Sequence, residues 1–122
     1  MSLRSYVAFA LLALTAPATA QAPAQRIAIW SFGIGPSPIH LLGGQPVTLT
    51  FENRSGASHD FTAKSFFGNA RITAGAAPDG EIELRPHQSV SITLVPRPGT
   101  YKAHCSHFGH AMLGMTAQIV VS

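Results

Sequence analysis

Tyr101-Lys-Ala-His-Cys105-Ser-His-Phe-Gly-His110-Ala-Met-Leu-Gly-Met115 gathers most of the chain's soft ligand chemistry into fifteen residues. It holds the only cysteine, three of six histidines and two of three methionines. Its first part alternates, with Tyr101, Ala103 and Cys105 on one face and Lys102 and His104 on the other, as a half-buried strand does. Gly114 to Val121 alternates again, with Ala117, Ile119 and Val121 inward. The stretch therefore reads as strand, loop, strand. Thiol, imidazole and thioether donors crowd the loop, and such a set suits copper better than calcium or magnesium, which prefer oxygen.

The same periodicity extends upstream. Arg26 to Phe32 is rich in β-formers, and Gly33 to Pro38 is turn punctuation that breaks regular structure. Ile39 to Leu42 is a short extended segment. Val47, Leu49 and Phe51 alternate with Thr48, Thr50 and Glu52. Asn53 to Ser58 is a polar loop, after which His59, Phe61 and Ala63 share one strand face and Asp60, Thr62 and Lys64 the other. Phe66-Phe67 begins a helical turn, and Gly68 to Gly80 reads as loop. Glu81 to Arg85 and Gln88 to Val95 alternate, with Ile82, Leu84, Val90, Ile92 and Leu94 inward and Pro86-His87 turning between them. Seven or eight short strands and no amphipathic helix predict an all-β fold, an antiparallel β-sandwich. Trp30, Phe51, Phe61, Phe66 and Phe67 are expected to build its core.

The first twenty residues are read apart from this fold. Arg4 precedes a predominantly apolar run, Val7 to Ala16, and Ala18-Thr19-Ala20 supplies small residues at −3 and −1. That is a secretory signal peptide with cleavage expected after Ala20. The alternative, a membrane anchor, needs roughly 20 apolar residues, and the run is half that. Residues 21–25 form an Ala/Pro-rich leader expected to be disordered, and 26–122 one domain with a single core. A periplasmic or otherwise exported location is expected. Without Arg4, seven basic residues face five acidic ones, a formal +2. They are scattered along the chain, which argues against nucleic-acid binding. A lone cysteine in an exported protein has no internal disulfide partner, and metal ligation is one way to protect it.

The spacing Cys105-x4-His110-x4-Met115 leaves nine residues to wrap an ion. His59, at the start of another strand, can reach the same pole of a sandwich. One thiolate, two imidazoles and a weak axial thioether are the ligand set of blue-copper electron-transfer sites. Soft sulfur suits Cu(I), imidazole accepts either oxidation state, and a rigid scaffold limits rearrangement between them.

The strand into Cys105, Gly109-His110, Gly114-Met115 and the apolar finish Ile119-Val120-Val121 resemble the C-terminal ligand loop and last strand of the cupredoxins, the family that includes azurin, plastocyanin and rusticyanin. The resemblance implies a Greek-key β-sandwich holding one type 1 copper ion through His59, Cys105, His110 and Met115. It also implies single-electron shuttling between larger redox proteins. Several family members carry Asn after the first histidine ligand, where this chain has Asp60.

His107 lies two residues from Cys105, a tight reach for the same ion, and is expected to face the surface or a partner. His104 alternates outward with Lys102, and Met112 is expected to pack around the site. His40 and His87 flank turns and are assigned no role. These surplus donors motivate an alternative function, copper delivery to an accepting protein or copper tolerance. A copper enzyme needs further copper centres and their histidine clusters, so no catalytic activity is expected. The protein is expected to act as a monomer.

Overall fold

Alternation in sequence becomes alternation in burial along most strands. In β4 (Val47–Asn53) every second residue from Val47 to Asn53 is buried, and in β10 (Thr116–Val121) Ala117, Ile119 and Val121 are. The computed structural model describes residues 2–13 and 21–122, so the expected cleavage point after Ala20 lies outside the described residues. Among the described residues, no helix is long and apolar enough to cross a membrane.

The other strands are β1 (Ala24–Trp30), β2 (Gly33–Gly35), β3 (Ile39–Leu41), β5 (His59–Thr62), β6 (Arg71–Ala74), β7 (Glu81–Leu84), β8 (Ser89–Val95) and β9 (Gly99–His104). One sheet runs β2-β1-β4-β8-β6 and the other β3-β10-β9-β5-β7. The inner faces of both contribute to one core that includes Ile27, Ile29, Leu49, Phe51, Phe61, Leu84, Ile92, Leu94 and Ile119. The expected sandwich is present, with ten strands among the described residues, and its pairing is mixed. β1 runs parallel to β4 and β10 parallel to β3, while the remaining pairs are antiparallel.

Four local readings change. β1 begins at Ala24, so part of the expected leader is strand, and the Pro23 carbonyl accepts a bond from the Thr48 amide. Gly33–Gly35, read as punctuation, pairs back on β1 as a short hairpin strand. Residues 68–80, read as loop, contain β6, which extends the first sheet beside β8. Trp30 is 43% exposed rather than in the core. It lies over the hairpin glycines, so closely that a Cβ on Gly33 would sit 2.4 Å from its ring. The helical turn at Phe66-Phe67 is a six-residue helix, α1 (Lys64–Asn69), that buries both rings.

β5 departs from simple alternation: all four of its residues are buried. Phe61 is fully enclosed and packs on Phe51 with ring centroids 4.6 Å apart. Phe61→Ala is expected to destabilise the protein by about 3–5 kcal/mol, the range for emptying a well-packed aromatic site. Chemical denaturation of the metal-free protein measures it. A loss no larger than that of a surface substitution would contradict this packing.

Candidate metal centre

The strand order β10-β9-β5 brings the four sequence-predicted residues to one end of the second sheet. The antiparallel register pairs Thr116 with His104, and the next rung is made by the Cys105 amide donating to the Met115 carbonyl at 3.0 Å. Cys105 and Met115 are therefore set opposite each other by the ladder, and both are buried. On the other side of β9, Thr62 pairs with His104. Beyond that pair the backbone ladder gives way to side-chain bonds. The Asp60 amide donates to Cys105 Sγ at 3.5 Å, and the Ser106 amide donates to Asp60 Oδ1 at 2.9 Å. His59 thus comes beside Cys105 although 46 positions separate them in sequence.

His110 reaches the same place through the loop. Its amide donates to the His107 carbonyl, and its own carbonyl accepts from the Leu113 and Met115 amides. A 3-10 turn over Ala111–Leu113 ends at Gly114, whose φ of 107° lies in the region that favours glycine.

Three donor atoms converge. His59 Nδ1 and His110 Nδ1 are 3.2 Å apart, Cys105 Sγ is 3.5 Å from His110 Nδ1, and it is 4.0 Å from His59 Nδ1. A triangle with those sides has its centre about 2.1 Å from each corner, close to the roughly 2.0–2.3 Å of imidazole and thiolate bonds to a divalent d-block ion. The donor triangle fits a single soft metal ion without rearrangement. His59 is fully buried, whereas His110 is only partly covered and looks outward.

The electrostatics suit neutral imidazole and resist a free thiolate. Burial, followed by the nearby His110 and His107, lowers the pKa of His59 below its ordinary 6.5. Burial raises that of Cys105 above its ordinary 9.0, against the pull of the Asp60 and His107 backbone amides. A bound cation would replace the thiol proton, because the thiolate is the ligand form.

Asp60 is fully buried and satisfied. Its carboxylate accepts from Thr62 Oγ1 at 2.7 Å and from the amide and hydroxyl of Ser106. Asn53, also buried, sets the loop that delivers His59: its side-chain amide donates to the Ala57, Leu84 and Arg85 carbonyls, and its Oδ1 accepts from Ser55.

The surplus donors separate. His104 is exposed on β9. His107, expected at the surface, is partly buried: its ring lies 3.1 Å from Glu83 and 3.5 Å from Asp60 and stacks on His110 with centroids 5.4 Å apart. Met112, expected to pack around the site, is 92% exposed because the 3-10 turn points it away from the core. Sequence reasoning missed Ser31 and Phe32. Ser31 Oγ lies 2.9 Å from His59 Nε2, and the Phe32 ring meets His110 edge-on at 5.3 Å. Both belong to the hairpin turn before β2, and only the fold brings them here.

A two-sheet sandwich with this pole defines the class, and the chain belongs to the cupredoxin-like domain family, whose family model matches residues 3–121. Solved structures agree on the fold. Auracyanin from Roseiflexus castenholzii superposes with a TM-score of 0.62 at 21% identity, over 84% of this chain and 99% of that one. Auracyanin A from Chloroflexus aurantiacus, described as a "blue" copper protein, gives 0.57 at 19% identity, over 81% and 99%. A multicopper oxidase from Campylobacter jejuni gives 0.65 at 14% identity over 88% of this chain, which spans 32% of that one. No curated protein matches the chain in sequence.

The pKa directions of His59 and Cys105 predict how this site contributes to the pH dependence of the metal-free protein. On acidification the unfolded chain takes up the His59 proton first, so stability is lost as pH falls below about 6.5. On alkalinisation the unfolded chain releases the Cys105 proton first, so stability is lost as pH rises beyond about 9.0. Denaturation midpoints measured across pH should be highest between those limits, with the acid limb shallower in His59→Gln. An unchanged acid limb in that variant would contradict the assignment.

Proposed function

We propose that this protein is an exported type 1 copper protein that carries single electrons between redox partners. His59, Cys105 and His110 would hold one copper ion, with Met115 as a weaker fourth donor. The observation that carries the reading is the donor triangle: two imidazole nitrogens and a sulfur already spaced for one ion, with His59 and Cys105 buried in the scaffold. Copper supplies a one-electron couple between Cu(II) and Cu(I). The chain's own contribution is to keep the donors fixed, since a site that moves little between oxidation states exchanges electrons quickly. Burial of His59, Cys105 and Met115 excludes water from one side. The outward His110 leaves a short path to a partner.

The surroundings of His110 support contact with another protein. Phe32, Phe108, Met112 and Leu113 are 45%, 103%, 92% and 60% exposed on the hairpin turn and the ligand loop. Exposed apolar side chains grouped at one end of a small protein mark contact surfaces. Export rests on the N-terminal signal read from sequence, with 1–20 removed and 21–122 as the working chain, and the protein is proposed to act as a monomer. Copper delivery, the alternative, would draw on surplus donors. His107 instead has its ring against Glu83 and Asp60, which favours a carrier.

Loading the purified protein with Cu(II) should give an intense visible thiolate-to-copper band and reversible one-electron cycling, and Cys105→Ser should abolish the band. Tight Cu(I) binding without the band would favour delivery. A wild-type spectrum in Cys105→Ser would overturn the thiolate assignment.

A further inference from the structure

We infer that Ser31 is a positioning residue that fixes the ring orientation and tautomer of His59 from outside the ligand strands, an inference that rests on the copper-site reading above. His59 turns Nδ1 toward Cys105 and His110, and its Nε2 lies 2.9 Å from Ser31 Oγ. A neutral imidazole carries one N–H, and a ring nitrogen can bind a metal only through its lone pair. With Nε2–H donating to the Ser31 hydroxyl oxygen, the Nδ1 lone pair is left facing the cage. The opposite tautomer would place a proton between His59 and the ion's position. With the hydroxyl oxygen as acceptor, the Ser31 bond holds His59 in the tautomer that can ligate.

The turn that carries this hydroxyl is itself held. Trp30 covers the hairpin from one side, close enough to Gly33 and Gly35 that a Cβ on either would come within 2.4 Å and 3.0 Å of its ring. Phe32, the next residue, rests its ring edge-on against His110. A Cβ on Gly114, at the end of the ligand loop, would come 3.4 Å from the Phe32 carbonyl oxygen. Two adjacent residues of one hairpin turn thus touch both imidazoles, Ser31 at the His59 nitrogen that does not face Cys105. Hydrogen bonds to the second nitrogen of a ligating histidine raise its basicity, and losing them typically costs about 10- to 100-fold in metal affinity. A more basic imidazole favours Cu(II) over Cu(I), so removing the bond should also raise the reduction potential.

The test uses the full chain with Ser31→Ala and Ser31→Thr beside the wild type. Long-range proton–nitrogen correlation on the metal-free protein should find the His59 proton on Nε2 in the wild type and in Ser31→Thr, and a mixture of tautomers in Ser31→Ala. Competition with a chelator should then show Ser31→Ala holding copper about 10- to 100-fold more weakly. Its potential should be higher, and Ser31→Thr should rescue both affinity and potential. A wild-type His59 protonated on Nδ1 would overturn the inference, as would Ser31→Ala with wild-type affinity and potential. Failure of the copper-site reading would look different: no visible band in the wild type, whatever the tautomer.

Discussion

Asp60 joins the two halves of the candidate centre, and the rest of the site depends on how its buried carboxylate is satisfied. A buried carboxylate without hydrogen-bond donors is costly, and removing its partners leaves that cost exposed. Here Thr62 and Ser106 supply the donors, one from its own strand and one from the residue after Cys105. The Asp60 backbone amide in turn donates to the Cys105 sulfur. The start of β5 and the end of β9 are thus tied twice where their backbone ladder has ended. His59 and Cys105, on either side of the tie, have little freedom to separate.

The other face of the site is built by a different device. Regular antiparallel pairing of β9 with β10 puts Cys105 opposite Met115, and the loop between them closes on backbone bonds to His110. One candidate ligand is therefore placed by a side-chain network, two by sheet register and one by a loop. This division has a functional consequence. The network and ladder positions are buried and rigid, whereas the loop position is partly open and carries the exposed apolar side chains. In the proposed carrier, metal retention and partner contact would fall on opposite sides of the same few residues.

Much of this was legible in the sequence, because alternation reports burial directly and His59, Cys105 and Met115 sit at or beside strand ends with His110 in the short loop between two of them. The sandwich, its core phenylalanines and the grouping of His59, Cys105 and His110 follow from period and spacing. Trp30 misled because a large aromatic in a strand usually points inward, and here two glycines offer it a bed on the outer side. Gly33–Gly35 looked unable to pair because glycine and proline weaken strands, yet three residues suffice for a hairpin return. Met112 was misplaced because period cannot be read through a 3-10 turn. Ser31 and Phe32 were invisible: their role depends on a hairpin folding across to a strand that begins 28 residues after Ser31. Asp60 was noticed only as a departure from the family pattern, and its partners emerged from the β5–β9 register.

The central claim is the identity of the atoms around the ion, and X-ray absorption at the copper edge of the loaded protein reads them directly. One sulfur and two imidazole nitrogens at about 2.0–2.3 Å is the expected first shell. A shell of nitrogen and oxygen alone, with no short sulfur, would contradict it.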